Sequence, residues 1–546
     1  MYARRTYMVF QARHCASPLI PQQHFFLQSH APCPSFTTSH GASTADCDED
    51  SLYSYTSGRW LWNEKEQFSR RYVKFNLAEL VKVAIQVTGS QSCIQVKKLP
   101  EGNFSKVFLI TMEDHKEVIA KLPNPNAGRP YFTTASEVAT MDYVRTVLNI
   151  PAPKVYTWSP STETPVRAEY IIMERSRGVE LSKLWDDMPG PDKLQIVKQL
   201  VGFEKALVST RFPMYGSIYY ANDLPNVQPK QLIYFEPEKD TTDIFAVGPT
   251  TNRAFFDENR DAVDVSRGPW ASLEDYMFSR ADRELRCLQA FSKFPRPQGL
   301  FYGPGQYHPT ARSKQETLQN YIKVARFLLP KDHGLSKPVF SIIDWQAVDL
   351  SPLFLQARHP ALIEFEGPIP EGLQSISLPL DFDDLSPEKQ LEAKKLRAAQ
   401  SLYKLYDIQL IRNCPDISQA LQFKDTLAGQ INGLSSSLFT DGEPIVQGML
   451  MKLQDERSTY IGPSTPCPLS FTTEERERQK QDEAQWSRGV ELMEEFLGHV
   501  GAYRGWDGWV NHNNYEYFKD RFERAKEEFL GRQSATDEER NQWKAV

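Results

Sequence analysis

Three charged residues, two of them at the ends of apolar segments, follow one another in an order that suits phosphate and metal chemistry. Lys121 closes the strand-like segment 118–121, Glu137 follows sixteen residues later, and Asp344 ends the apolar run 340–343. An ammonium can pair with phosphate oxygens, a carboxylate can hold that ammonium in place, and a second carboxylate can bind Mg²⁺. The three residues therefore predict a site for a phosphorylated ligand, provided that the fold brings them together.

The elements around the first two residues favour such a pair. The alternating pattern predicts strands over 93–99, 106–112 and 118–122, and a helix follows that Thr133 or Thr134 can cap. This helix carries an apolar stripe of Val138, Met141, Val144 and Leu148. If the stripe packs across the sheet, Glu137 would point toward Lys121. The plainer interpretation is an exposed lysine at a strand end and a solvated acid in a first helical turn.

The turn between the first two predicted strands is built from small residues. It contains Gly102, Asn103 and Ser105, and small side chains let backbone N–H groups approach a phosphate. One glycine falls short of the G-x-G-x-x-G pattern, so a turn that only connects strands is the alternative.

A second ligand-facing segment follows the buried strand predicted over 169–174. Backbone groups at Met173, Glu174 and Arg175 could hydrogen-bond the edge of an adenine, since a flat heterocycle needs an apolar slot with a few fixed polar groups. Gly178 makes the stretch a natural hinge. The alternative is a crossing between two domains that carries no ligand.

Taken in chain order, these features resemble the aminoglycoside phosphotransferase and choline kinase-like family. Four longer motifs, at 55–62, 212–219, 267–270 and 343–355, narrow the resemblance to a fungal branch of mitochondrial members. The resemblance implies an α+β fold of two protein kinase-like lobes with a helical C-terminal extension. It also implies ATP and Mg²⁺ as cofactors and phosphoryl transfer to the hydroxyl of a small-molecule acceptor. Lys121 would then bind phosphates with Glu137 as its partner, residues 173–175 would form the adenine hinge, and Asp344 would bind the metal.

The catalytic loop of that family is missing. None of the ten histidines has an aspartate two positions on, so the H-x-D-x-x-x-x-N loop expected upstream of Asp344 is absent and no catalytic residue is assigned. A positioned general base contributes roughly 10² to 10⁴ in rate. Two explanations stay open, an inactive remnant or a coding segment discarded as an intron. The alternative function is accordingly a catalytically inactive nucleotide-binding or scaffold protein in mitochondrial maintenance. A third interpretation treats the charges as unrelated surface groups.

The chain divides into five predicted regions. Residues 1–45 contain no Asp or Glu but include Arg4, Arg5 and Arg13, which predicts a mitochondrial presequence, with a disordered tail as the alternative. An aromatic and helical extension follows over 46–90, in which Asn76 and Gly89 can bound a helix. The small sheet lobe is predicted over 91–174, the larger helical lobe over 175–360, and the helical extension over 361–546.

Composition restricts the partners. The formal charge of −7 argues against general binding of nucleic acid, and no apolar run is long enough to predict a transmembrane helix. The seven cysteines lie far apart, which predicts neither a disulfide framework nor a zinc site. Asp381, Asp383 and Asp384 could form a metal site, but a solvated turn is the favoured interpretation. The protein partners and the identity of the acceptor are open.

Overall fold

The computed structural model describes residues 50–224, 244–297, 299–340, 345–370, 372 and 375–544, with the backbone of 35–36 and 231–232. Asp344 lies outside these described residues, and so does the predicted presequence except for the backbone of 35–36.

The first lobe is an antiparallel sheet. Its labelled strands follow the order β1–β2–β3–β5–β4, and Ser35–Phe36 pairs with the outer edge of β1. The strands are β1 (Cys93–Lys98), β2 (Ser105–Met112), β3 (Glu117–Pro123), β4 (Val155–Ser159) and β5 (Tyr170–Glu174). The first three match the predicted strands to within one residue.

The alternation along β3 gives the sheet two different faces. Val118, Ala120 and Leu122 are buried in a core with helix α1 (Leu77–Thr88). Since successive side chains of a strand point to opposite faces, Lys121 lies on the face away from α1. The predicted ends of α1 are confirmed, because the Asn76 side chain accepts a hydrogen bond from the Glu79 N–H and Gly89 is left-handed at φ 67°.

The second lobe is mainly helical. Its small strands are β6 (Ser217–Tyr220), β7 (Phe245–Gly248), β8 (Pro338–Phe340) and β9 (Leu350–Pro352); Gln231–Leu232 pairs with β7. The longer helices are α2 (Phe132–Thr146), α3 (Gly190–Ser209), α4 (Leu273–Ala290), α5 (Ala311–Val324), α6 (Pro387–Asn413), α7 (Pro415–Lys424), α8 (Leu427–Leu434), α9 (Glu443–Asp455), α10 (Thr473–Val500), α11 (Tyr515–Gln533) and α12 (Asp537–Lys544). Short helices span Asp50–Tyr53, Glu64–Ser69, His333–Ser336, Leu353–Gln356 and Arg457–Tyr460.

Helix α2 belongs to the first lobe by sequence but is anchored in the second. The Tyr143 ring lies 5.3 Å from Phe245, 5.7 Å from Phe340 and 5.8 Å from Phe212, measured between centroids. Aromatic clusters of this kind bury large apolar areas. The helix that carries Glu137 is therefore fixed by the larger lobe.

The N-terminal extension joins the first lobe to the C-terminal helices. Leu52, Tyr53 and Phe75 are buried in the core of the sheet lobe. A few residues away, Arg59–Trp60 pairs antiparallel with Trp509–Val510. The aromatic segment is thus a second connection between distant parts of the chain.

The predicted α+β class, with a sheet lobe, a larger helical lobe and a helical C-terminal extension, is confirmed. The sheet packs against α1 and also contacts α2 through Lys121, and long helices complete the larger lobe and the extension. Asp381, Asp383 and Asp384 are exposed to solvent. Among the described residues, no helix combines the length and apolarity needed to cross a membrane.

Glu204 predicts a pH dependence of stability. Glu204 is 8% exposed, and its carboxyl group accepts from the Tyr406 hydroxyl, which lies 2.8 and 2.9 Å from the two oxygens. Burial raises the pKa of Glu204 from 4.5 to about 7, although the hydrogen bond opposes the shift. The folded state thus keeps a proton that the unfolded state has already lost, so the free energy of unfolding falls as pH rises from about 4.5 to 7.

We expect Glu204→Gln to remove this dependence. Relative to the variant, the wild type should lose about 3 kcal/mol of unfolding free energy between pH 4.5 and 8, measured by urea denaturation. Glu66→Gln, at a side chain that is 53% exposed, should leave the slope unchanged. Equal pH slopes for wild type and Glu204→Gln would contradict the assignment.

Candidate functional site

Lys121 and Glu137 form an ion pair across the sheet lobe. Lys121 Nζ lies 2.5 Å from Glu137 Oε1, and the two side chains are 13% and 3% exposed. The plainer interpretation of two solvated surface groups is therefore wrong. The ammonium is held on the face of β3 away from α1, where a phosphate could share it.

The beginning of α2 differs from the prediction. Thr133 and Thr134 lie inside the helix, which begins at Phe132 after Tyr131, a residue with a φ of 66° and no capping side chain. Glu169, just before β5, accepts hydrogen bonds from the Tyr131 N–H at 2.9 Å and from Thr134 Oγ1 at 2.5 Å. The first helical N–H groups, those of Phe132 and Thr133, donate to the backbone carbonyls of Pro130 and Arg129. Glu169 therefore holds the residue before the helix and the Thr134 hydroxyl, and burial raises the pKa of Glu169.

The ladder places the candidate residues in a definite order along β3. Val118 is opposite Glu174, Lys121 is opposite Ile171, and Pro123 is opposite Ser105. Lys121 thus lies between the predicted hinge at one end of the strand and the small-residue turn at the other. Three residues of strand separate the Lys121 level from the Glu174 level, or about 10 Å at roughly 3.3 Å per residue.

The turn formed by residues 101–105 leaves room on one side. A Cβ added to Gly102 would meet nothing within 4 Å. On the other side, Asn103 accepts a hydrogen bond from Arg71 Nη2 at 3.2 Å through its side chain and one from Asn124 Nδ2 at 3.0 Å through its backbone. The turn is therefore held on the side of Arg71 and Asn124, which we call its back, and is open on the side of Gly102, which we call its front.

Buried charges lie directly behind this turn. Glu101 Oε1 is 2.5 Å from Lys98 Nζ, and Glu101 Oε2 is 2.7 Å from Lys106 Nζ, with all three side chains at most 1% exposed. Burial lowers the pKa of the Lys106 ammonium to about 8, against the attraction of Glu101. Two ammonium groups and one carboxylate favour an anion in front of the turn.

The predicted hinge is the end of β5. Met173 pairs with Ile119 on one side and Val155 on the other, and the Glu174 N–H donates to the Lys154 carbonyl at 2.8 Å. Arg175 forms an ion pair with Glu117 at the start of β3. The Glu174 N–H is thus already used by the sheet.

Asp344 lies outside the described residues, but both of its flanks are described. Phe340 packs on Phe212 and on Tyr143 of α2. Gln346 Nε2 donates to Ser105 Oγ at 3.3 Å, across the two lobes. On the same side of the turn, the Arg253 guanidinium lies 3.9 Å from the centroid of the Phe104 ring. The chain on either side of Asp344 therefore reaches the junction of the lobes.

Several residues of this site were not predicted from the sequence. Alternation along β2 places Phe108, Ile110 and Met112 on one buried face. The same alternation places Lys106 on that face, so the sequence pattern could have predicted its burial. Glu169, Arg253 and Gln346 had none, because their partners are distant in sequence.

Comparison with known proteins places the chain among fungal relatives. No family model matches the sequence. It is 28% identical to a subtelomeric hrmA-associated cluster protein of Aspergillus fumigatus, over 78% of this chain and 91% of that protein. It is 23% identical to altered inheritance of mitochondria protein 9, mitochondrial, of Yarrowia lipolytica, over 81% of this chain and 83% of that protein.

Among solved structures, the aminoglycoside phosphotransferase APH(4)-Ia matches 76% of this chain and 99% of its own, at 12% identity and a TM-score of 0.31. The relatives found by sequence comparison include proteins of the fungal mitochondrial branch that the motifs indicated. The chain is a homologue of the fungal proteins named altered inheritance of mitochondria protein 9, which are named as mitochondrial.

Proposed function

We propose that this protein is a mitochondrial member of the kinase-like phosphotransferases that binds ATP between its two lobes. The observation that carries the proposal is the buried Lys121–Glu137 pair, at 2.5 Å, midway between an open small-residue turn and the end of β5. A mitochondrial location agrees with the names of the fungal relatives and with the acid-free composition of residues 1–45.

The order of groups along β3 supports a nucleotide lying along the strand. Adenine would sit at residues 173–175, where the Arg175 backbone follows the last ladder pair at Glu174. The phosphates would lie at Lys121 and in front of the turn, about 10 Å away by strand length. That span is comparable to the separation of base and phosphates in an extended nucleotide.

The residues present suit the phosphates of ATP. Gly102 leaves open space where a phosphate can approach backbone N–H groups, and the buried lysines behind the turn add positive potential. For Mg²⁺, which neutralises phosphate charge when bound, we propose Asp344 as the ligand from its sequence motif. In the described part of the chain no cluster of three metal-ligating side chains occurs.

Phosphoryl transfer to a small-molecule hydroxyl is the function at family level, but the chain as written favours the second candidate, an inactive nucleotide-binding or scaffold protein. The short helix His333–Ser336 is followed by β8 with only Lys337 between them. This connection is tied down, since Lys337 Nζ lies 2.5 Å from Asp416 and the Ser336 carbonyl accepts from the Tyr215 hydroxyl at 2.6 Å. The eight-residue H-x-D-x-x-x-x-N loop does not fit in so short a connection.

Thermal-shift titration with Mg-ATP tests nucleotide binding. At a hundredfold excess over Kd the wild type should gain about 2.7 kcal/mol of stability. Gly102→Val should fold normally, because its backbone is not left-handed and its Cβ meets open space, yet it should lose the gain since the side chain would occupy the phosphate space. Lys121→Ala should lose it as well.

The matched control is Gly498→Val, a second glycine whose Cβ would meet nothing within 4 Å, on the C-terminal helix α10. It should keep the full shift. Absence of a shift in the wild type, or an equal shift in Gly102→Val and Gly498→Val, would refute nucleotide binding at the turn.

Transfer activity gives a separate prediction. The chain as written should show no measurable ATP-dependent phosphorylation of candidate alcohols, since the missing base alone is worth about 3 to 5 kcal/mol of barrier. Sequencing the transcript across codons 330 to 345 decides between the two explanations. A transcript without additional codons supports the inactive protein. An in-frame insertion encoding H-x-D would supply the catalytic loop and overturn this prediction for the protein translated from that transcript.

A further inference from the structure

Arg71 is a buried guanidinium that reaches the turn. The residue is 4% exposed, and its Nη1 donates to the Gln67 carbonyl at 3.0 Å and to Gln67 Oε1 at 2.6 Å. Its Nη2 donates to Asn103 Oδ1 at 3.2 Å. The hydrogen-bond acceptors are all neutral, and burial lowers the pKa of Arg71. A buried cation without a carboxylate in contact is costly and calls for an explanation beyond packing.

Aromatic rings hold this guanidinium in place. Its carbon lies 4.4 Å from the ring centroid of Trp60 and 5.6 Å from that of Tyr55. Both rings lie on the N-terminal segment 55–62, which was recognised in the sequence only as a family motif. Cation–π contacts favour a cation over the ring face and so restrict where the Arg71 head can lie.

The C-terminal region fixes those rings in turn. Trp60 Nε1 donates to Asp507 Oδ2 at 3.1 Å, and Trp509 Nε1 donates to the Tyr55 hydroxyl at 3.0 Å. The segment 506–510 is itself seated in the core of α10 and α11 through Trp506 and Val510. A continuous set of contacts therefore leads from the C-terminal helices to Asn103.

The charge behind the turn adds to this geometry. Arg71, Lys98 and Lys106 are three buried cations, while Glu101 and Asp507 are the acids that act on Arg71. The Glu101 carboxylate is shared by the two lysines. Arg71 thus contributes positive potential toward the open side of the turn as well as a hydrogen bond to it.

We propose that Arg71 is a positioning residue for the turn, and that the C-terminal segment 506–510 sets through Arg71 the geometry in which the turn meets the phosphates of a nucleotide. The second half of this inference rests on the proposed function. The first half is a statement about the turn itself and can be tested without a ligand.

Hydrogen exchange of the full chain, read at the amides of residues 101–105, tests the positioning. In Arg71→Met these amides should exchange at least tenfold faster than in the wild type, and Arg71→Lys should restore part of the protection. The matched control is Arg59→Met, because Arg59 lies on the same segment, pairs with Glu64 at 2.8 Å and stacks on Tyr515 at 3.7 Å. It should leave exchange at 101–105 unchanged.

The contribution of the C-terminal segment is tested by Trp509→Phe, which keeps an aromatic side chain but removes the donor to Tyr55. It should raise exchange at 101–105 by a smaller factor than Arg71→Met. Should Arg71→Met fail to fold, Asn103→Ala removes the same hydrogen bond from the turn and should give the same faster exchange. The inference would be overturned if the amides of 101–105 kept wild-type protection in Arg71→Met, or in Asn103→Ala where Arg71→Met does not fold. It would also be overturned if Arg59→Met lost as much protection as the variant at the turn.

Titration with Mg-ATP separates this inference from the proposed function. Where the wild type binds, Arg71→Met should weaken affinity about tenfold and Arg59→Met should not. Equal affinities for Arg71→Met and wild type would overturn the role toward phosphate. A wild type that does not bind Mg-ATP refutes the proposed function and with it the role toward phosphate, while the exchange result still decides whether Arg71 positions the turn.

Discussion

The ion pair between Lys121 and Glu137 is the constraint on which the arrangement of the lobes depends. Both groups lie largely out of solvent, where separating the two charges would be costly. The pair therefore fixes the register between β3 and α2. Because α2 is anchored in the larger lobe through Tyr143, the same contact fixes the open face of the sheet relative to that lobe.

The turn of residues 101–105 is the second point at which the lobes meet. From behind, it is held by Arg71 and by the buried group of Glu101, Lys98 and Lys106. From the larger lobe, Gln346 and Arg253 contact Ser105 and Phe104. A loop with so many fixed contacts has little freedom to lose on binding, which is the physical meaning of preorganisation. The open space beside Gly102 is the direction left free for a ligand.

The proposed nucleotide-binding residues and the segment expected to carry the catalytic loop differ in how far they match the family pattern. Residues that would hold a nucleotide are placed in a consistent order along one strand, whereas the connection that should carry the catalytic base is a single lysine between a helical turn and β8. Similarity to fungal relatives extends over about four fifths of the chain. A protein that keeps nucleotide binding without efficient transfer is consistent with this contrast.

The sequence alone determined the local elements and which face of each is buried. Period-two alternation gave β1, β2 and β3, Asn76 and Gly89 gave the ends of α1, and the spacing of Lys121 and Glu137 predicted their pairing. These features depend on neighbours a few residues away. The threonine cap predicted for α2 is wrong, because the N–H groups of Phe132 and Thr133 donate to nearby backbone carbonyls and the Thr134 hydroxyl donates to the distant carboxylate of Glu169.

Only the tertiary structure decided which distant surfaces meet. Trp60 and Asp507 are 447 residues apart in sequence, and no local pattern records their hydrogen bond. The same holds for the contact of Gln346 with Ser105 across the lobes. A local pattern fixes the face that an element buries but not its partner, because the partner is selected by the packing of the whole chain.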